Sequence, residues 1–145
     1  MAGLLGDPDV MQFYPRPKTP AEALRWIEWN QANYAQHGYG LWIIETHAGD
    51  FVGDCGLTWQ PVADRWNLEV GYHTVPAQQG FGYATEAARS CLDLAKSPLG
   101  EAHVIAIINP ANVPSRRVAE KLGMRVEQET EFHGRPAVVY GQHSN

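Results

Sequence analysis

A glycine-containing segment lies between a strand-like run and the start of a strong helical pattern. Glycines permit tight turns and a close approach of ligand to backbone, and the unpaired N–H groups and dipole of a helix N-terminus favour an anion. The spacing predicts a pyrophosphate-binding loop, although a glycine-rich turn without a ligand fits the same pattern. Its members are Gln79, Gly80, Phe81, Gly82, Tyr83, Ala84 and Thr85.

Two other phosphate-binding motifs do not fit this segment. A P-loop ends in Gly-Lys-Ser/Thr, and that tripeptide is absent from the sequence. A dinucleotide-binding fingerprint reads G-x-G-x-x-G, whereas here Gly80 and Gly82 are followed by Thr85. The strand predicted next also ends at Ile108 and Asn109 without the acidic residue that would bind a ribose.

A second polar segment, residues 109–115, precedes the last helical pattern. Ser115, Val118, Ala119 and Leu122 recur at i, i+3, i+4 and i+7, which places the Ser115 hydroxyl on the inward face of a helix. The spacing is compatible with a role in a buried site. Alternatively, Asn112 and Ser115 only satisfy free N–H groups at the helix start.

The elements that position these segments alternate between helix and strand. A capping box at Thr19 and Glu22 starts a helix that ends near residue 36. An alanine-rich stripe on residues 83–96 predicts a helix that packs closely on a sheet, so residues 66–108 form one βαβ unit. Further elements are strands at 41–45 and 51–60, a loop at 61–65, a helix at 114–122, and strands at 125–132 and 137–140. The pattern predicts a mixed α/β sheet.

Composition narrows the class of protein. The chain has 145 residues with 44% apolar and 19% charged residues, which fits a single domain spanning 1–145. No signal peptide or membrane span is apparent, so we expect a cytoplasmic protein that does not contact a membrane. The net charge of −5 without a basic stripe argues against a nucleic-acid partner. Five tryptophans could line a cleft or fill the core.

The two cysteines, Cys55 and Cys91, have neither zinc-ligand spacing nor a disulfide pattern. We expect both to be buried, reduced thiols.

Taken together, the segments resemble the GNAT superfamily of acetyl-CoA-dependent N-acetyltransferases, in particular its branch similar to the ribosomal-protein alanine acetyltransferases. The resemblance runs over residues 7–140. Gln79-x-x-Gly82-x-Ala84 looks like the acetyl-CoA pyrophosphate loop, and Asn112-x-x-Ser115 with residues 118–124 resembles the second motif of that branch. Residues 68–72 resemble its central strand.

The resemblance implies a GNAT fold, with a mostly antiparallel sheet that opens at its central parallel pair of strands. It also implies acetyl-CoA as cosubstrate and no metal. The pyrophosphate would bind the loop amides, the pantetheine arm would pair with the strand end at Thr74 and Val75, and Asn112 and Ser115 would lie near the pantetheine and the sulfur. An amine would then attack the thioester directly, without a covalent intermediate.

Direct transfer needs a base, because amines are mostly protonated at neutral pH. The candidates are Glu69 and His73 on one strand face and Glu45 on the preceding hairpin. Glu69 and His73 lie about 13 Å apart along a strand, so they are alternatives and do not act as a dyad. We favour Glu69 as base; a water chain, or an ordinary Glu69 carboxylate paired with an arginine, remains open.

The sequence departs from the family pattern in two places. The first strand is missing, which predicts an unpaired sheet edge and therefore a homodimer. Gln79 and Phe81 also occupy loop positions where tryptophan and lysine are frequent, so a cation near the phosphates is lost.

The leading hypothesis is an N-acetyltransferase that acts on a protein N-terminus or a small amine. Two alternatives stay open: an acyl-CoA-binding module without catalysis, and a nucleotide-binding domain.

Overall fold

The computed structural model describes residues 19–62, 64–97 and 99–143. These residues form one six-stranded sheet with the strand order β1-β2-β3-β4-β6-β5. Strands β3 and β4 are parallel, and every other neighbouring pair is antiparallel. The strands are β1 (Leu41–Glu45), β2 (Phe51–Val62), β3 (Arg65–Thr74), β4 (His103–Ile108), β5 (Arg125–Phe132) and β6 (Arg135–His143).

Three α-helices flank the described sheet: α1 (Pro20–His37), α2 (Tyr83–Lys96) and α3 (Val113–Lys121). The predicted capping box is present, because the Thr19 hydroxyl accepts from Glu22 N while the Glu22 carboxylate accepts from Thr19 N. Helix α1 ends at Gly38, whose φ of 80° is the left-handed conformation that glycine adopts easily.

The main core lies between the sheet and helices α2 and α3. Ala88 and Ala95 on the α2 stripe are fully buried, and these small side chains let α2 lie close to β2 and β3. Leu68 and Val70 of β3 point into this core. Successive strand residues alternate between faces, so Glu69 and its neighbours on the other face point away from α2 and α3.

Strands β3 and β4 pair over only two positions, Leu68 with Val104 and Glu69 with Ile105. Beyond these positions the two strands diverge toward their carboxyl ends. Helix α2 connects them, so the predicted βαβ unit is confirmed. The divergence gives the mixed, centrally opened sheet expected of the fold class.

The loop predicted at residues 61–65 is wrong. β2 continues to Val62, with Pro61 opposite Trp66 and Val62 opposite Arg65. β1 pairs with β2 only up to Gly56, so Pro61 lies beyond the end of β1. A proline there costs no hydrogen bond on that side of the strand. The last strand is also longer than predicted, because β6 extends from Arg135 to His143.

Both cysteines are buried and form no disulfide, as predicted, and their Sγ atoms lie 3.7 Å apart. The predicted absence of a first strand concerns residues 1–18, which lie outside the described residues. The homodimer inferred from it stays a prediction. In the described part of the chain, no helix has the length and apolar character needed to cross a membrane.

Candidate functional site at the diverging strands

A cavity of about 640 Å³ opens where β3 and β4 separate. β3 contributes Glu69, Tyr72 and His73 to its lining, and the start of α3 contributes Asn112 and Ser115. The strand divergence therefore brings four sequence-predicted residues to one cavity: Glu69, His73, Asn112 and Ser115.

Glu69 lies on β3 at the last position that pairs with β4. Its carboxylate interacts with the backbone N–H of Ile107, two residues after the last β4 residue that pairs with β3. Burial raises the pKa of Glu69 from 4.5 to about 7, although the Ile107 hydrogen bond and the charge of His73 act to lower it. No arginine among the described residues forms an ion pair with Glu69, so the predicted alternative of an arginine-paired carboxylate finds no support in that part of the chain.

His73 is held by a buried carboxylate on the neighbouring strand. Asp54 lies directly opposite His73 in the β2–β3 ladder, and the His73 Nδ1 to Asp54 Oδ1 distance is 3.0 Å. Asp54 is fully buried. When the Nδ1–H group donates a hydrogen bond to Asp54, the Nε2 atom of the neutral ring carries no proton. The Asp54 contact fixes the orientation of the His73 ring, and sequence reasoning missed this partner.

The start of α3 is fixed by local hydrogen bonds. Asn112 Oδ1 accepts from Ser115 N at 3.2 Å, so Asn112 is the helix N-cap, as the alternative reading of this segment predicted. The Tyr72 hydroxyl donates to the Ser115 carbonyl at 2.8 Å and links β3 to α3 across the opening. Ser115 itself is only half-buried and lines the cavity.

The glycine loop has the backbone shape predicted for an anion site. Gly80 and Gly82 have φ values of 83° and 80°, and Gly82 is the residue before the first turn of α2. Among the described residues, no side chain caps the N-terminus of α2. The first N–H groups of this helix therefore have no hydrogen-bond partner within the helix. Phe81 is 67% exposed at the loop tip and its ring lies 5.8 Å from the Tyr83 ring.

The loop does not line the main cavity. Gly82 and Thr85 border a second, more open cavity of about 430 Å³ on the outer side of α2. Gln79 folds back, and its side-chain amide donates to the Thr74 carbonyl at 3.1 Å. Neither cavity includes the predicted residues Thr74, Val75, Gln79, Gly80, Phe81, Tyr83 or Ala84. Glu45, the third predicted base candidate, is exposed at the end of β1 and lies outside both cavities.

Sequence reasoning missed the outer wall of the main cavity. α1 contributes Trp26 and Trp29, and the β5–β6 hairpin contributes Phe132, His133 and Arg135. The two tryptophans are three residues apart on a helix, a spacing that puts them on one face. Trp59 packs against the main core, whereas Trp26 and Trp29 fit the cleft interpretation of the aromatic content.

Comparison with known proteins identifies the family. Residues 1–125 match the family model for the acetyltransferase (GNAT) domain. The chain therefore belongs to the GNAT acetyltransferase family.

Two curated relatives extend over most of the chain. The uncharacterized protein YkkB of Bacillus subtilis is 38% identical over 142 residues, covering 97% of this chain and 83% of that protein. The FsC-acetyl coenzyme A-N(2)-transacetylase of Aspergillus fumigatus is 33% identical over 137 residues, covering 88% of this chain and 57% of that protein.

Solved structures share the fold. An acetyltransferase from Agrobacterium tumefaciens superimposes with a TM-score of 0.85 at 23% identity, covering 99% of this chain and 82% of that one. The yncA protein of Salmonella typhimurium, solved with its cofactor acetyl-CoA, has a TM-score of 0.73 at 21% identity, covering 98% and 85%.

The ribosomal-protein-S5-alanine acetyltransferase of Vibrio fischeri has a TM-score of 0.74 but only 15% identity, covering 98% of this chain and 85% of that one. The GNAT fold is thus confirmed, whereas the narrower branch stays a prediction.

The raised pKa of Glu69 makes stability depend on pH. Between pH 4.5 and about 7 the unfolded carboxyl ionises while the folded one stays protonated, so raising the pH favours unfolding. Relative to wild type, Glu69→Gln should gain up to about 3 kcal/mol of unfolding free energy over this range, with no further change above pH 7. Urea unfolding at a series of pH values measures the difference. Glu45→Gln, at an exposed carboxylate, is the control, and a Glu69→Gln difference that stays constant with pH would contradict the raised pKa of the half-buried Glu69.

Proposed function

We propose that the protein is an acetyl-CoA-dependent N-acetyltransferase that acts on a primary amine, either a protein N-terminus or a small molecule, by direct transfer. The observation that carries the proposal is the cavity between β3 and β4, which is lined by both Glu69 of β3 and Ser115 of α3. The acetyl-CoA bound to yncA and the N(2)-transacetylase name of the Aspergillus relative support it.

Acetyl-CoA binding in this proposal uses two parts of the chain. The unpaired amides at the start of α2 bind the pyrophosphate, since a helix N-terminus offers both donors and a favourable dipole. The pantetheine arm runs from this loop along the end of β3 into the opening between the strands, where it meets Asn112 and Ser115. The cosubstrate-binding residues are Thr74, Val75, Gln79, Gly80, Phe81, Gly82, Tyr83, Ala84, Thr85, Asn112 and Ser115.

The acceptor amine enters on the side walled by α1. Trp26 and Trp29 offer aromatic faces that attract a cation, and Glu22 adds a carboxylate to the same wall. These groups favour the ammonium form of the acceptor on arrival. The amine must then lose a proton before or during its attack.

In the reaction, the amine nitrogen forms a bond to the thioester carbonyl carbon and the C–S bond breaks. The amine proton passes to Glu69, whose pKa of about 7 suits a base at neutral pH. The Ser115 hydroxyl gives a hydrogen bond or its proton to the departing thiolate; a proton given in this way is replaced through solvent by the one that Glu69 took from the amine. A backbone N–H stabilises the oxyanion. His73, oriented by Asp54, is the alternative base.

The test of function is release of free thiol from acetyl-CoA with a panel of amines, measured against pH. Wild-type kcat/KM should rise with pH through about 7, because the Glu69 carboxylate must be ionised to accept a proton. Glu69→Gln should lose about 100- to 10,000-fold in rate and that rising limb, whereas Glu45→Gln should keep both. An unchanged profile in Glu69→Gln assigns the base to His73 or water. Binding of acetyl-CoA without thiol release for any amine would favour the non-catalytic binding module.

The loop assignment predicts an effect of charge at Gly82. Acetyl-CoA should raise the melting temperature of wild type, because it binds the native state only. Gly82→Asp should abolish the shift, since a carboxylate then occupies the anion site. Gly82→Asn is the matched control, because it has nearly the same shape at this positive-φ position and no charge. Equal shifts in the two variants would place the phosphate elsewhere, and a shift with ATP or NAD in place of CoA would indicate a nucleotide-binding domain.

The Ser115 hydroxyl is predicted to act on the leaving thiolate. Ser115→Ala should lower kcat by about 10- to 1,000-fold with little change in acetyl-CoA affinity. Ser90→Ala is the control, because Ser90 is an exposed serine on α2 that bonds only to its own helix. A Ser115→Ala protein that melts earlier but turns over normally at low temperature would limit Ser115 to a structural role at the start of α3.

A further inference from the structure

Two histidines and a glutamate converge at the end of the sheet opposite the opening of β3 and β4. His103 is the first residue of β4 and lies directly opposite His143, the last residue of β6. Their imidazole rings are stacked, with 4.3 Å between centroids and 15° between planes. Glu127 on β5 reaches across β6 to both rings. The cluster therefore draws on three adjacent strands.

Both imidazoles direct the same nitrogen to one carboxylate. The Nε2 atom of His103 lies 2.8 Å and 3.1 Å from the two carboxylate oxygens of Glu127, and the Nε2 atom of His143 lies 3.1 Å from Oε2. One ligand atom from each residue lies within 4.8 Å of the other two. Ligands of a tetrahedral ion with bonds of about 2.0–2.1 Å are about 3.4 Å apart, so small side-chain movements would suffice to admit an ion.

The local backbone is shaped to bring the carboxylate there. The β5–β6 ladder shifts register between Val126 and Gln128, so Glu127 occupies a bulge, and a bulge changes the direction of a side chain. Gly141 on β6 provides the space, because a Cβ at this position would overlap the Glu127 carboxyl group. The bulge and the glycine together allow the Glu127 carboxylate to lie against the Nε2 atoms of both rings.

We propose that His103, Glu127 and His143 bind a divalent transition-metal ion, Zn²⁺, at a site separate from the acetyl-transfer cavity. Two imidazole nitrogens and one carboxylate form a donor set suited to Zn²⁺, whereas Mg²⁺ and Ca²⁺ take oxygen ligands. Three protein ligands leave a fourth position for water. The side chain of His143 is 69% exposed, which gives an ion a path from solvent. The bound ion links β4, β5 and β6.

The first test is a Zn²⁺ titration of untagged protein after treatment with a chelator, monitored by calorimetry. Wild type should bind one equivalent. His143→Asn and Glu127→Gln should each weaken binding at least tenfold. We expect His143→Asn to fold as wild type does, because this side chain is 69% exposed. His47→Asn, in the exposed β1–β2 turn, is the matched control and should bind as wild type does. Equal Zn²⁺ affinity in all three variants, or no binding by wild type, would overturn the proposal.

Gly141→Ala gives a second test that leaves the three ligands in place. The added methyl group should displace the Glu127 carboxylate and weaken Zn²⁺ binding at least tenfold, with a circular dichroism spectrum like that of wild type. Zn²⁺ should raise the melting temperature of wild type but not of Glu127→Gln. The acetyl-CoA-dependent shift should be equal in these two proteins, so this test is independent of the proposed acetyl transfer. A full Zn²⁺ response in Glu127→Gln would place any bound ion elsewhere.

Discussion

The separation of β3 from β4 is the constraint on which the other features of the site depend. Two central strands that part in the middle of a sheet leave backbone groups without ladder partners, and buried groups of this kind must find others. The Ile107 N–H, a group of this kind, interacts with the Glu69 carboxylate, and the Tyr72 hydroxyl ties the start of α3 to β3 by donating to the Ser115 carbonyl. The side chains that stabilise the opening are therefore those that line it, so site and fold share the same interactions.

The core packs against the sheet beside the opening. α2 packs on β2 and β3 through alanine and cysteine side chains, which allow a close approach of helix and sheet. On the other face of the sheet, Val62, Ile105 and Val139 form a smaller apolar cluster near the positions where β3 and β4 pair. The sheet is thus packed on both faces where the two strands pair, and the side chains of the candidate site lie where the strands diverge.

Local signals in the sequence predicted much of this architecture. The capping box at Thr19, the stripe on α2 and the apolar run of β4 are local patterns, and each predicted element is present. Glu69 and Ser115 could be assigned to a common site only through the family resemblance, since they lie on elements far apart in sequence.

Features that depend on strand register could not be predicted. The pairing of Asp54 with His73 follows from the alignment of β2 against β3, and the position of Glu127 follows from a bulge. Neither the alignment nor the bulge has a local sequence signal. The tryptophans of α1 had such a signal in their spacing, but spacing alone does not distinguish a face that packs on a core from one that borders a cavity.

The attachment of α1 has a mechanical consequence for the cavity. Only Ala23 and Asn30 of this helix are buried, and the Asn30 side chain bonds to both the Trp26 carbonyl and the Leu41 N–H. The Tyr34 hydroxyl donates a hydrogen bond to the Leu41 carbonyl and the Tyr34 ring stacks on Trp42, so these contacts with β1 come from the second half of α1. The local displacement of a segment that is held by few buried side chains costs less than global unfolding. We therefore expect the width of the acceptor entrance to vary with the tilt of α1, while the floor of the cavity keeps its shape.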